Sequence, residues 1–184
     1  MKRIVCSVSL VILVLALAAW AQAPAPKPGP EHQKVKMYVG HWTYTGEYKP
    51  GPIGPGGAFT GEYNAQMILG GFFLQGHWTE KNPSGEVKGF ETFGYDPANK
   101  NYFQSQYQDD GSMASGVLTV SGNTWTYSGK TVAAGKQYAF RATLVFAADL
   151  AGIELKADIS TDGSTWTPFI EAKFTKAKPA PKKK

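Results

Sequence analysis

From Tyr38 onward, apolar and polar side chains alternate with a period of two, and the alternation restarts after almost every turn. Residues 38–48 put Tyr38, Trp42, Tyr44 and Tyr48 on one face and His41, Thr43, Thr45 and Glu47 on the other. Residues 59–69, 137–146, 153–159 and 165–174 repeat the pattern, the last with Trp166, Ile170, Ala172 and Phe174 on the apolar side. A strand with one wet and one buried face belongs to an antiparallel sheet.

Turn chemistry separates the runs at Leu69-Gly70-Gly71, Asn82-Pro83-Ser84-Gly85, Asp96-Pro97-Ala98-Asn99, Asp110-Gly111-Ser112, Ser121-Gly122-Asn123, Ala134-Gly135-Lys136 and Asp162-Gly163-Ser164. Each supplies a preset turn φ or a residue tolerant of positive φ. The spacing predicts about ten short strands joined as hairpins. Such a meander closes on itself, because closure removes exposed sheet edges. The expected fold is all-β: an antiparallel up-and-down barrel, with one short helix at 31–38 covering a barrel mouth. Pro168 lies within the last run and demands an edge or a bulge.

The chain ends are of a different kind. Met1-Lys2-Arg3 precedes an uncharged, mostly apolar run from Ile4 to Trp20, and small residues follow at Ala19 and Ala21. That order reads as a secretory signal peptide over 1–21, cut after Ala21 and leaving no membrane-spanning segment; the alternative is an uncleaved membrane anchor. The expected location is the periplasm or the outside of the cell. The chain's single cysteine, Cys6, would leave with the leader. Residues 22–30 form an Ala/Pro linker, 31–175 the barrel domain, and 176–184 a Lys/Pro tail.

The formal charge of +5 resolves along the same boundaries. Eight of the 19 basic residues lie in leader, linker and tail, whereas all 14 acids lie in the body, which is therefore near −3. Arg141 is the body's only arginine. Nucleic-acid readout is thereby excluded. The lysine tail is suited only to weak, salt-sensitive contact with an anionic envelope surface.

The landmarks along the body resemble the calycin-like family known as domain of unknown function 1579, a lipocalin-like barrel. They are Glu31-His32-Gln33-Lys34, Gly40-x-Trp42, Gly57-x-Phe59-x-Gly61, Leu69-Gly70-Gly71-Phe72-Phe73-Leu74, Phe93-Gly94-Tyr95-Asp96, Tyr102-Phe103 and Asp162-Gly163-Ser164-x-Trp166. The resemblance implies the barrel and an exported bacterial setting. It implies no catalytic residues.

Chemistry-bearing motifs are sparse. His41 and His77 both fall in Gly-His-Trp triplets, but parity turns Trp42 and Trp78 inward and both histidines outward, with no ligand spacing around them. No metal site is expected. Nitrobindin-like barrels, which this fold resembles, hold haem through a late inward histidine; no histidine follows position 77, so no haem or other cofactor is expected. There is no nucleophile elbow and no phosphate loop. Glu91 is the one carboxylate that alternation offers to the interior, where it would serve a hydrolase or isomerase. Phe90 on the opposite parity argues instead for an exposed Glu91 and a non-catalytic protein.

The body holds 23 of the chain's aromatic residues. They either fill the barrel or line a cavity for a small apolar or amphipathic ligand. The candidate lining is Trp42, Tyr44, Tyr63, Met67, Phe72, Trp78, Phe93, Tyr95, Phe140 and Trp166, with the Pro/Gly loop 49–57 as its lid. The alternative is a filled barrel acting as an envelope protein through its surface or tail.

Overall fold

The computed structural model describes residues 26–177. The expected leader and the tail residues 178–184 lie outside them.

Ten strands follow one another: β1 (Gly40–Tyr48), β2 (Gly57–Ile68), β3 (Phe73–Asn82), β4 (Gly85–Asp96), β5 (Asn101–Gln108), β6 (Met113–Ser121), β7 (Thr124–Ala133), β8 (Lys136–Phe146), β9 (Gly152–Ser160) and β10 (Thr167–Lys176). Each pairs antiparallel with its sequence neighbours, and β1 pairs with β10 to close the barrel. The expected up-and-down barrel is the observed one.

The turn residues act as anticipated. Gly85 at the start of β4 and Gly111, Gly122, Gly135 and Gly163 in the hairpin connections all sit at positive φ. Pro168 also resolves as expected. The register of β10 on β9 shifts between Pro168 and Ile170, leaving Phe169 as the extra residue of a bulge.

The short helix α1 (Pro30–Lys34) runs into a 3₁₀ turn over Val35–Tyr38. Pro30 stands in its first turn, where the missing N–H costs nothing. Together they plug one end of the barrel. Val35 is fully buried, and the Tyr38 ring stacks on Phe93 and meets Trp125 and Phe146 edge-on. The indole N–H of Trp42 donates to the Tyr38 carbonyl at 2.9 Å, bolting the plug to β1. Lys176 lies over the Trp42 ring, 4.9 Å from its centroid.

Not every ring points inward. His77, Phe90, Tyr107 and Met113 occupy successive paired positions on the outer face of β3 to β6. The His77, Phe90 and Tyr107 rings pack in a row there, with neighbouring centroids 6.0 and 5.3 Å apart. Phe90 is thus an outward side chain, and its neighbour Glu91 is an inward one.

Candidate functional site

Away from the plug, the barrel is hollow. A cavity of about 840 Å³ opens between the loops that join β1 to β2, β3 to β4, β5 to β6 and β7 to β8. That size falls within the range of small-molecule sites. The aromatic residues do not fill it because several lie flat on the wall, over glycines. Tyr44 of β1 covers Gly61 of β2, Tyr63 of β2 covers Gly76 of β3, and Trp78 of β3 covers Gly89 of β4. A methyl group at Gly89 would stand 2.2 Å from Trp78 Cζ2. Each ring occupies the volume that its neighbour's side chain has vacated.

Of the residues expected on the lining, Tyr44, Tyr63, Trp78, Phe93 and Phe140 border this cavity. The other five lie elsewhere, and the expectation is corrected for each. Trp42 is fully buried beneath the plug. Met67 packs half-buried against the core near the plugged end of β2. Phe72 and Tyr95 hold the His32 ring between them, with centroids 5.1 and 5.7 Å away. Trp166 precedes β10 and stacks beneath the Arg141 guanidinium at 4.4 Å, on the outer surface. Its inward parity is lost at the Phe169 bulge, and Phe169 borders the cavity instead.

The cavity is not purely apolar. Glu91 is buried, contrary to the expectation of an exposed side chain. Its carboxylate accepts the Tyr63 hydroxyl at 2.6 Å and the Gln104 amide at 2.5 Å. Burial pushes its pKa up to about 7, and these two hydrogen bonds oppose the rise only in part. Burial and the nearby Glu91 charge push the Tyr38, Tyr63 and Tyr127 hydroxyls upward as well.

A second buried carboxylate, Glu80, lies two positions beyond Trp78, toward the mouth. Its oxygens accept the Tyr48 hydroxyl at 2.9 Å, the Asn82 amide at 3.1 Å and the Tyr44 hydroxyl at 3.5 Å. Gln104, Gln106 and Gln108 of β5 also face the cavity. Apolar parity misses Glu80 and the glutamines because polar side chains point inward there: Glu80 shares the inward face of β3 with Trp78, and on β5 Tyr107 points out while the glutamines point in.

The loop between β1 and β2 reaches across the mouth. A tight bridge between Gly51 and Gly54 shapes its tip. The Tyr138 hydroxyl of β8 donates to the Pro52 carbonyl at 3.4 Å, linking this loop to the far wall. Ile53 and Pro55 border the cavity from above.

His41 and His77 stand on the outer face, where His41 Nδ1 lies 2.7 Å from Asn64 Oδ1. Among the described residues, no three His, Cys, Asp or Glu side chains gather to hold a metal. The cavity offers shape, aromatic faces and two carboxylates, one of which, Glu91, has its pKa pushed up by burial to about 7.

A family model described as a protein of unknown function, DUF1579, matches residues 27–176. The chain belongs to this family. Sequence comparison with curated proteins gives no match. Among solved structures, the chain is similar to Rv2717c from M. tuberculosis, with a TM-score of 0.60 at 12% identity over 82% of this chain and 99% of that one. It is also similar to the S-type phycobiliprotein lyase CPES from Guillardia theta, with a TM-score of 0.52 at 9% identity over 82% and 94% of the two chains. At these identities the likeness is one of fold.

Proposed function

We propose that this DUF1579 protein is an exported binding module that holds one small amphipathic ligand inside the barrel. The observation that carries the reading is the open cavity of about 840 Å³, whose aromatic side chains lie along the wall instead of filling the centre. A few placed polar groups among aromatic surfaces give orientation as well as burial. A filled barrel acting only through its surface or tail leaves that space without a purpose.

Export rests on the leader-like order of residues 1–21. Protein recovered from outside the cytoplasm should begin at Gln22, which N-terminal sequencing checks. Native mass spectrometry of protein purified from its own host should show an adduct of a few hundred daltons that organic extraction removes. A bare mass under gentle desolvation, with no thermal shift across a panel of amphipathic compounds, would overturn the binding reading.

A second reading is favoured by Glu91 alone. A carboxyl group that exchanges its proton near neutrality inside a cavity suits general acid–base chemistry on a bound molecule. In that case Glu91→Gln would abolish turnover of the extracted ligand and leave its binding intact.

A further inference from the structure

The charged groups buried inside the cavity are both carboxylates. Glu91 lies near the floor, where Tyr38 of the plug is also found, and Glu80 lies toward the mouth. Asp110 borders the rim. Every donor that reaches the two buried carboxylates is neutral: Tyr63 and Gln104 at Glu91, and Tyr44, Tyr48 and Asn82 at Glu80. Among the described residues, Lys49 is the only basic side chain on the lining, and it sits at the rim. Its ammonium group is engaged by Glu47 at 2.7 Å and Glu171 at 3.5 Å.

A second observation is independent of the carboxylates. Among the described residues the hydroxyls of Tyr38 and Tyr127 find no hydrogen-bond partner, although both residues border the cavity and are only 3% exposed; the third such buried atom, Trp125 Nε1, does not border it. Buried polar groups are nearly always satisfied, so two orphaned hydroxyls on one cavity mark a place built for a polar group. Glu91 borders the same cavity, and its charge adds to burial in raising the pKa of both phenols. A carboxylate offers about four acceptor sites, and the protein uses two of those at Glu91.

Resting on the binding reading above, we propose that the ligand's polar end is an ammonium group. It is seated at Glu91 beside the Tyr38 and Tyr127 hydroxyls, with its apolar body among the rings toward the mouth. The N–H donors of the ammonium meet the open acceptor sites of Glu91, and the two phenol oxygens come within reach once their rings shift toward the cavity. Its charge compensates a buried carboxylate that no cationic side chain of the described residues reaches. The surrounding rings add cation–π attraction. An anionic head group would instead bring a further negative charge to a cavity that already holds Glu80 and Glu91. Glu80 and Asp110, spaced between floor and mouth, extend the same preference along the entry path.

The test uses two matched series on the mature protein: naphthylmethylammonium, naphthylmethanol and naphthoate, then octylammonium, octanol and octanoate. Isothermal titration calorimetry at pH 8 and low salt gives each affinity. In both series the ammonium should bind about tenfold tighter than the alcohol, and the carboxylate should bind weakest. Glu91→Gln should bring the ammonium down to the affinity of the alcohol and leave the alcohol unchanged. Tyr127→Phe, which deletes an orphaned hydroxyl, should fold at least as stably and weaken only the ammonium, by about threefold. This variant keeps the test decisive should Glu91→Gln fail to fold.

An alcohol or a carboxylate that binds as tightly as its ammonium overturns the ammonium assignment and leaves the binding reading standing. An ammonium preference that survives Glu91→Gln overturns the seat at Glu91. Absence of binding by all six probes at about 1 mM overturns the binding reading, and the ammonium assignment with it.

Discussion

At the plugged end, Trp42, Leu74, Trp125 and Phe146 are completely buried, each packed against others of the set or against Tyr38. Toward the mouth, Trp78 and Phe140 are only half-buried and border open space, although they occupy the same inward positions of the same kind of strand. Alternation alone does not separate a packed core from a pocket. The difference comes from what faces the rings. At one end a 3₁₀ turn inserts Tyr38 among them. At the other, glycines on the adjoining strand let the rings lie flat against the wall.

The largest test of this contrast is Trp42→Ala against Trp78→Ala. The first empties a fully packed site and removes the hydrogen bond to the plug, so it should cost about 3–5 kcal/mol in urea unfolding. The second enlarges an existing space and should cost about 1–2 kcal/mol. Equal losses would break the contrast, since they would mean that the mouth half is as tightly packed as the plugged half.

Next in size is a pH effect confined to the cavity. The folded state raises the Glu91 pKa from its ordinary 4.5 to about 7. Over that window the folded protein binds more protons than the unfolded chain, so stability falls as pH rises. Tyr63 and Gln104 donate to the group, and the tyrosines around it ionise far above this range. Glu91 should therefore make the wild type about 3 kcal/mol less stable at pH 8 than at pH 4. Glu91→Gln should remove this loss, matching the wild type in acid and exceeding it at pH 8. A variant that loses stability equally at both values would show that the carboxylate is not buried in solution.

Both tests also bear on what the sequence made visible. The strand run, the closure, the bulge at Pro168 and the outward histidines follow from period-two alternation and turn chemistry, which are local properties. Inward Trp78 and Phe93 follow from the same rule. Glu91 does not, because its acceptance inside depends on Tyr63 and Gln104, 28 and 13 residues away in the chain. Nothing near Glu91 announces those partners, and the outward Phe90 beside it argues the wrong way. Trp166 departs from its expected inward place for a related reason. One bulge residue reverses every side chain before it, and alternation cannot say on which side of Pro168 the extra residue lies. Glu80 and the β5 glutamines escaped because polar side chains are turned inward there, as a cavity allows and a packed core does not.

A smaller effect is expected at the glycine wall. In Gly89→Ala the new methyl group would meet Trp78 Cζ2 at 2.2 Å and the Tyr107 carbonyl at 2.6 Å. The ring can swing into the cavity, but the carbonyl belongs to the strand and gives little. The cost should be about 1–3 kcal/mol, with tryptophan emission shifted as Trp78 leaves the wall. Ligand capacity should fall further than stability does, because the displaced indole fills the space it formerly bordered. An unchanged emission spectrum would mean that the ring does not rest on Gly89.

The smallest effect on stability belongs to the mouth itself. Ile53 borders the cavity from a loop that is tied at its base by the Lys49 N–H to the Phe169 carbonyl and whose tip bonds are the Gly51–Gly54 bridge and the Tyr138 hydroxyl to the Pro52 carbonyl. None of these bonds involves the Ile53 side chain, so Ile53→Ser should change unfolding free energy by no more than about 0.5 kcal/mol. The same substitution replaces an apolar cover with a hydroxyl over an aromatic cavity, and a bound amphiphile should then leave several-fold faster in stopped-flow displacement. Tyr138→Phe cuts the loop's tie to β8 and should act in the same direction. If both variants release ligand at the wild-type rate, the loop spans the mouth without governing it, and the difference between the barrel's ends reduces to the plug alone.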